Sequence, residues 1–532
     1  MKAFTDPLKK LGEFPQILES LKAGGGMTQV QGCLDSQKAH FLYAASEDFP
    51  CRVIVTYSEL RAKELYEDYR FFDKNAVLFP ARDLIFFGAD IRSNLIVEQR
   101  IQAMKAILEQ EELTIITTMG GCMDHLIPLA DFKSCVIDLK NDSTVDLDDL
   151  KRRLVSMGYE QTGQVESSGQ FAVRGGILDI FPLTEENPVR IEFWGDEVDS
   201  IRSFDTQSQR SIENLEGLHI YPACEVVADR KRIGQAMEKL RKEGEKTGEA
   251  LRKEGKLTEA ARVSQLVEEA CENLEEFSGI TGLEAYVGYL YDKTVTFPDY
   301  FRDRKTLFVL DEPNRILQEG EAVEQEFRES MASRLEKGYL LPGQMDLISS
   351  TAQTAALLQK NHCLGFCTLE SARAPWRTKD QFGVDVRAVN PYNNSFELLV
   401  KDLGHWKKEG YQVILLCGSR SRAARLSQDL LDNGLNSFYT EDLDHEILGG
   451  QILVTYGHTK RGYEYPLLKF VVISESDIFG KEKKKRKRQK AYEGRKIQSF
   501  TELSVGDYVV HENHGLGIYR GIEKIDVEGV SK

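Results

Sequence analysis

The chain has 532 residues, enough for about three to five domains. Its 41% hydrophobic and 29% charged residues are the balance of a folded globular protein, which excludes a disordered or fibrous chain. The formal net charge of −16 gives no global attraction for nucleic acid, so any such contact has to be local.

The N-terminus, MKAFTDPLKKLGEF, has no apolar core for a signal peptide, and no run approaches a membrane span. Nine scattered cysteines form no disulfide framework and fit free thiols in a reducing, cytoplasmic setting. His362, Cys363 and Cys367 lie close together, but no second ligand pair follows. The cysteines read as buried thiols, and no metal site is expected.

Residues 1–135 alternate strand and helix. Val53–Thr56 reads as a buried strand, and Ser58 is placed to cap a helix running to about Phe72. Strands are expected at Val77–Phe79 and Thr114–Thr117, with a helix across about Asn94–Glu109. This βαβα order predicts a parallel sheet.

Gln31 to Ala39 reads QGCLDSQKA, the length of a phosphate-binding loop with its chemistry altered. Gly32 and Lys38 keep the spacing. Gln37 replaces the glycine that lets backbone N–H groups approach phosphate. Ala39 replaces the hydroxyl that ligates magnesium, and Asp35 adds charge where phosphate would lie. Downstream, Leu307–Glu312 is an apolar strand ending in Asp311 and Glu312, the pattern that holds magnesium in a motor domain. Gly32, Lys38, Asp311 and Glu312 together predict a nucleotide site that kept its frame and lost its ligand. No catalytic residue is assigned.

Residues 169–211 read GQFAVRGGILDIFPLTEENPVRIEFWGDEVDSIRSFDTQSQRS. Strands Ile177–Phe181, Val189–Trp194 and Glu197–Phe204 are separated by the turn signals Gly175–Gly176, Glu185–Pro188 and Gly195–Asp196. Arg174, Arg190 and Arg202 recur near Phe193, Trp194 and Phe204. From composition, this is an antiparallel meander with arginines on its wet face, or a recognition surface, since Arg and Trp anchor interfaces. Arg174 precedes its strand and could be a turn residue.

The order of these residues resembles one module shared by the excision-repair protein UvrB and by the bacterial transcription-repair coupling factors (Mfd). The resemblance implies a domain that docks on UvrA, with Arg174, Arg190 and Trp194 at UvrA-facing positions. It also implies a UvrB-like architecture without its ATPase, since UvrB's own loop is intact. UvrB further carries a DNA-clamping aromatic hairpin. The corresponding span Phe79–Ile91 is too short for it, and Phe86 and Phe87 read as core residues sooner than base-stacking ones. The coupling-factor version of the module fits better.

Residues 223–372 return to helix, with a charged stretch from Asp229 to about Glu276 read as a solvated helix or helical hairpin. Strand Thr306–Leu310 then completes the first sheet, which makes residues 136–222 an insertion. Residues 373–477 form a second α/β unit of unknown role, with strands Gln412–Cys417, Ile452–Tyr456 and Phe470–Ser474 and a helix over Ser421–Asn433 ended by Gly434. Lys460, Arg461 and Tyr463 follow a strand end and read as a solvated loop.

A basic linker is expected over residues 478–499, where KEKKKRKRQK (481–490) could also touch phosphate backbone through Lys483, Lys484, Lys485, Arg486, Lys487 and Arg488. Residues 500–532, with LSVGDYVVHENHGLGIYRGI, resemble the start of the RNA polymerase-interacting, CarD-like β barrel of the coupling factors. His511 and His514 read as packing and turn residues there.

The fold class is therefore α/β. The resemblance implies a degenerate RecA-like parallel-sheet domain carrying an inserted, mainly β UvrA-binding domain, followed by a second α/β domain and the start of a small barrel. The resemblance implies an N-terminal portion ending inside the polymerase-interacting domain. No cofactor is then expected for this chain. ATP and Mg2+ belong to the family's translocase motor, as do the contacts with double-stranded DNA, and the RNA polymerase β subunit is a partner of the full-length protein. In the family a C-terminal domain masks the docking face, so here the face is expected to stand open. Two rivals are kept: a UvrB-like damaged-DNA-binding ATPase, and a DNA-binding module using the basic run.

Overall fold

The computed structural model describes residues 1–82, 94–276, 283–369 and 372–480, together with the backbone of four short strands between 508 and 531. It divides into two compact units, Met1–Gly480 and Lys481–Lys532.

The larger unit is built on a seven-stranded sheet. Its order is Thr378–Gly383, Gly26–Gln31, His362–Cys367, Thr306–Asp311, Cys51–Thr56, Leu113–Thr118, Val77–Phe79, and every pairing is parallel. Thr306–Asp311 and Leu113–Thr118 are buried at every position, as strands covered on both faces must be. On one face Val30, Ile54 and Val309 pack against Phe4, Phe14, Phe41 and Leu65, from helices Lys2–Lys9, Phe14–Ala23, Asp35–Ala45 and Glu59–Tyr69. On the other face Val53, Ile115 and Leu310 meet Ile107, Ile316 and Leu358, from helices Asn94–Glu109, Pro313–Glu336 and Thr351–Leu358.

Strand Thr378–Gly383 corrects the boundary drawn at residue 372. It pairs with Gly26–Gln31 at the edge of the first sheet, so that sheet reaches into the span assigned to the second α/β unit. Its sequence, TKDQFG, is largely exposed and has no apolar run, so hydrophobic pattern alone could not reveal it.

The second sheet has the order Arg387–Ala388, Tyr463–Tyr465, Phe470–Ser474, Gln412–Cys417, Ile452–Tyr456, Ser437–Tyr439. The last four strands run parallel, and the first two are antiparallel additions. Ile414, Leu416, Tyr463, Tyr465 and Phe470 belong to the same hydrophobic core as Phe41 and Val30. The first-sheet helices are thus shared between the two sheets, which leaves little freedom for one to move against the other.

The insertion starts and ends on one antiparallel pair, Ile137–Lys140 with Gly217–Ile220. Between them lie helix Leu147–Ser156 and a six-stranded sheet whose inner face buries Phe171, Leu178, Ile191 and Ile201 against Leu150 and Leu154. This sheet holds six strands rather than three, adding Glu160–Gln161, Gln170–Arg174 and Ser211–Asn214. A helical hairpin follows, Arg230–Lys253 and Leu257–Glu276, with Asp229 capping the first helix through Arg232 N–H at 2.7 Å.

Residues 83–93, which include Phe86 and Phe87, and the basic residues Lys483–Arg488 lie outside the described residues. In the smaller unit, Tyr508–His511 pairs antiparallel with Gly515–Ile518, and Asp526–Val527 with Val530–Ser531. Among the described residues no helix is long and apolar enough to cross a membrane.

Candidate protein-docking face and a closed phosphate loop

The inserted sheet presents one wet face. Along Val189–Trp194 the buried positions Val189, Ile191 and Phe193 alternate with Arg190, Glu192 and Trp194, which point outward. Cross-strand pairing extends this face. Arg190 stands opposite Asp179 and Arg202, Glu192 opposite Ile177 and Ser200, and Arg174 opposite Ile177. Arg174, Arg190 and Trp194 therefore share one face. Arg174 ends strand Gln170–Arg174 rather than standing in a turn.

The three residues differ in freedom. Trp194 is 84% exposed beside the Gly195–Asp196 turn, where Gly195 takes φ 65°. Arg174 is exposed, and its Nε and Nη2 donate to the Gly163 carbonyl at 3.2 and 2.8 Å. Arg190 is pinned. Its Nε and Nη2 donate to the two oxygens of Asp179 at 2.7 and 2.9 Å, Nη2 also donates to Gln209 Oε1 at 3.0 Å, and its guanidinium carbon lies 4.6 Å from the centre of the Phe204 ring. The hydrogen bond with Asp179 holds the guanidinium above its ordinary pKa.

The altered phosphate loop has a different geometry. The helix begins at Asp35, leaving only Gly32, Cys33 and Leu34 between strand and helix. Gln37 and Lys38 donate their backbone N–H groups to the Leu34 carbonyl at 3.0 and 3.2 Å. The amides that would cradle a phosphate are thus wound into the first helical turn. Lys38 is 1% exposed, and its Nζ donates to Asp311 Oδ1 at 2.6 Å, Glu312 Oε1 at 2.8 Å and Asp35 Oδ1 at 2.9 Å. Burial pushes its pKa down, but the three carboxylates together outweigh burial and raise it. Arg61 Nε takes the other Asp311 oxygen at 2.7 Å, and Thr368 N–H donates to Glu312 at 3.0 Å. The oxygens of Asp35, Asp311 and Glu312 cluster as the ligands of a cation would, and Lys38 Nζ sits among them. From the second sheet's side, Ser36 Oγ donates to the Gly462 carbonyl at 3.3 Å. Burial pushes the Cys33 and Cys367 thiols up to about 12, so neither offers a thiolate here.

Residues 137–225 match the UvrB interaction domain family, and residues 503–532 match the CarD-like/TRCF RID domain family. Along 99% of its length the chain is 31% identical to a transcription-repair-coupling factor of Bacillus subtilis. Proteins of the same description from Staphylococcus epidermidis and Staphylococcus haemolyticus are 29% and 28% identical over 86% and 90% of the chain. The chain is a homologue of the transcription-repair-coupling factors. It spans 44%, 38% and 40% of the length of these three relatives.

In this coupling-factor homologue, the structure brings Lys38, Asp311 and Glu312 of the four residues grouped from sequence into contact. Gly32 lies apart from them in role. It takes φ 78°, and a side chain there would meet the Val384 carbonyl at 2.3 Å. Sequence reasoning named Phe204 near Arg190 but missed Asp179 and Gln209 beside it, and Arg61 and Thr368 at the cleft. An Asp179 signal existed, because a lone acid inside the apolar run GGILDIFP needs a buried partner. His362 Nδ1 contacts the Leu21 carbonyl at 2.7 Å, while Cys363 and Cys367 point into the core.

Proposed function

We propose that this chain is the partner-recruiting portion of a transcription-repair-coupling factor, and that it docks UvrA through the wet face of the inserted sheet. The observation that carries this reading is the placement of Arg174, Arg190 and Trp194 on one face of a domain that matches the UvrB interaction domain. An exposed Trp beside pre-positioned arginines is the composition of an interface hot spot. The match at residues 503–532 supports RNA polymerase as a second partner of the full-length protein. ATP-driven translocation on double-stranded DNA, and displacement of stalled polymerase, belong in this reading to the full-length factor acting in the cytoplasm. In this reading the cleft at Lys38 binds no nucleotide, because the Gln37 and Lys38 amides and the Lys38 ammonium are already engaged within the fold. ATP and Mg2+ do not fit these residues, since Lys38 Nζ already occupies the space among the Asp35, Asp311 and Glu312 oxygens.

The test is binding of the chain to purified UvrA beside an Arg174→Ala, Arg190→Ala double variant. Tight binding that is lost in the double variant supports the reading. Absence of binding by the unaltered chain sinks it.

A further inference from the structure

Arg190 is the most constrained member of the docking face. A free surface arginine must lose its rotamer freedom on binding. Here that loss is already made. Asp179, 4% exposed, sits directly across the strand pair from Arg190 and takes Nε and Nη2 with its two oxygens. Gln209 takes a second Nη2 hydrogen, and it does so from a left-handed backbone, φ 57°. The turn that holds it is closed by Gln209 N–H to the Asp205 carbonyl at 2.8 Å and Asp205 N–H to the Arg210 carbonyl at 3.0 Å. Phe204, 1% exposed, lies under the guanidinium and sets its plane.

These contacts use both hydrogens of Nη2 and the one of Nε. The hydrogen bonds of the described residues leave Nη1 without an acceptor, while the side chain keeps 20% exposure. Arg174 spends less, placing Nε and one Nη2 hydrogen on the Gly163 carbonyl and keeping its Nη1/Nη2 edge. At Arg190 both forked edges that arginine offers to a partner carboxylate are interrupted internally.

We propose that Asp179 is a positioning residue for docking. It fixes Arg190 so that Nη1 alone faces outward, and the partner meets it with a single oxygen acceptor rather than by a two-point carboxylate clamp. The proposal rests on the UvrA reading above. Asp179 acts through Arg190 and does not itself touch the partner, since its oxygens are occupied and it is buried.

The experiment compares the unaltered chain with Asp179→Asn, Asp179→Ala, Arg190→Ala and the Asp179→Asn, Arg190→Ala double variant. Asp179→Asn keeps the shape and one acceptor oxygen, so it stays informative if the alanine variant fails to fold. Two readouts are used: the dissociation rate from UvrA, and the side-chain Nε–H resonance of Arg190 in protein labelled with 15N-arginine. In the unaltered chain that resonance is protected from solvent exchange. In Asp179→Asn it is lost or broadened, and dissociation from UvrA speeds up about tenfold, a typical cost for disturbing a buried charged pair. In the Arg190→Ala background, Asp179→Asn adds no further loss. Equal losses in both backgrounds, or unchanged binding in Asp179→Asn, would overturn the positioning role. If the unaltered chain shows the protected resonance but does not bind UvrA, the docking reading itself falls, and the proposed role of Asp179 falls with it.

Discussion

Lys38 Nζ and Asp311 Oδ1 stand 2.6 Å apart, and both side chains are 1% exposed. By sequence pattern, one falls at the lysine position of a phosphate-loop motif and the other at the acid that ends an apolar strand, where a motor domain holds magnesium. In this chain they neutralise each other. The charges that a motor would spend on nucleotide and metal serve instead as an internal cross-link between helix Asp35–Ala45 and strand Thr306–Asp311.

Lys38→Met leaves Asp311 and Glu312 without their shared cation. Arg61 still holds one oxygen of Asp311, but the other faces an apolar side chain. Breaking a buried pair in this way costs about 3–5 kcal/mol. Urea unfolding is expected to show a midpoint well below that of the unaltered chain. An unchanged midpoint would mean that the pair contributes no net stability.

The closed loop makes a second expectation. Gln37→Gly with Ala39→Thr restores the missing letters of the phosphate-loop motif. The double variant is still expected not to bind ATP, because Lys38 remains engaged and the loop remains wound into the helix. A fluorescent nucleotide titration decides. Saturable binding at micromolar concentration would mean that the two letters alone had closed the site.

This contrast marks what the sequence could convey. Loop spacing and the apolar strand ending in two acids grouped Gly32, Lys38, Asp311 and Glu312, and of these Lys38, Asp311 and Glu312 meet in the fold. Helix Asn94–Glu109 and the Ser58 cap were also legible, since apolar period and capping chemistry are local. The winding of residues 35–37 was not legible, because it depends on the Gly462 carbonyl and on carboxylates far away in the chain. The same holds for Arg190. Its strand and face follow from alternation, but its capture by Asp179 is set by register, and its contact with Gln209 by the closed turn between strands Glu197–Phe204 and Ser211–Asn214.

Gly32 gives a third expectation. Its presence could be taken as a remnant of phosphate binding, but the fold requires it now. It takes φ 78°, and an added Cβ would lie 2.3 Å from the Val384 carbonyl. Gly32→Ala should destabilise by more than the roughly 1 kcal/mol of left-handed strain alone. Thermal unfolding measures it, and a melting temperature equal to that of the unaltered chain would remove the structural reason for the glycine.

The contact between the two sheets titrates. Asp68 is 2% exposed, and burial raises its pKa to about 6 even though it accepts the Lys460 N–H at 2.7 Å. Its folded pKa lies above the unfolded value of about 3.9. Its stabilising contribution is therefore complete below about pH 4 and is lost as pH rises through 6. Asp68→Asn keeps an acceptor for Lys460 and cannot ionise. Its melting temperature is expected to exceed that of the unaltered chain at pH 8, with the gap closed near pH 4. A gap independent of pH would show that Asp68 does not carry this titration.

Trp194 separates docking from folding most cleanly. At 84% exposure its indole buries little within the chain, so Trp194→Ala should change unfolding free energy by no more than about 0.5 kcal/mol. Its neighbours on the face, Arg190 and Glu192, keep their own partners, Asp179 and Arg202, whether or not the ring is present. Against UvrA the same substitution is expected to cost about 2 kcal/mol or more, the loss typical of an aromatic anchor at the centre of an interface. Isothermal titration of both proteins, paired with thermal melts, reads the two quantities separately. A loss of binding with an unchanged melt places the ring at the interface. Unchanged binding would move the docking site off this end of the strand and leave Arg174 and Arg190 to account for it alone.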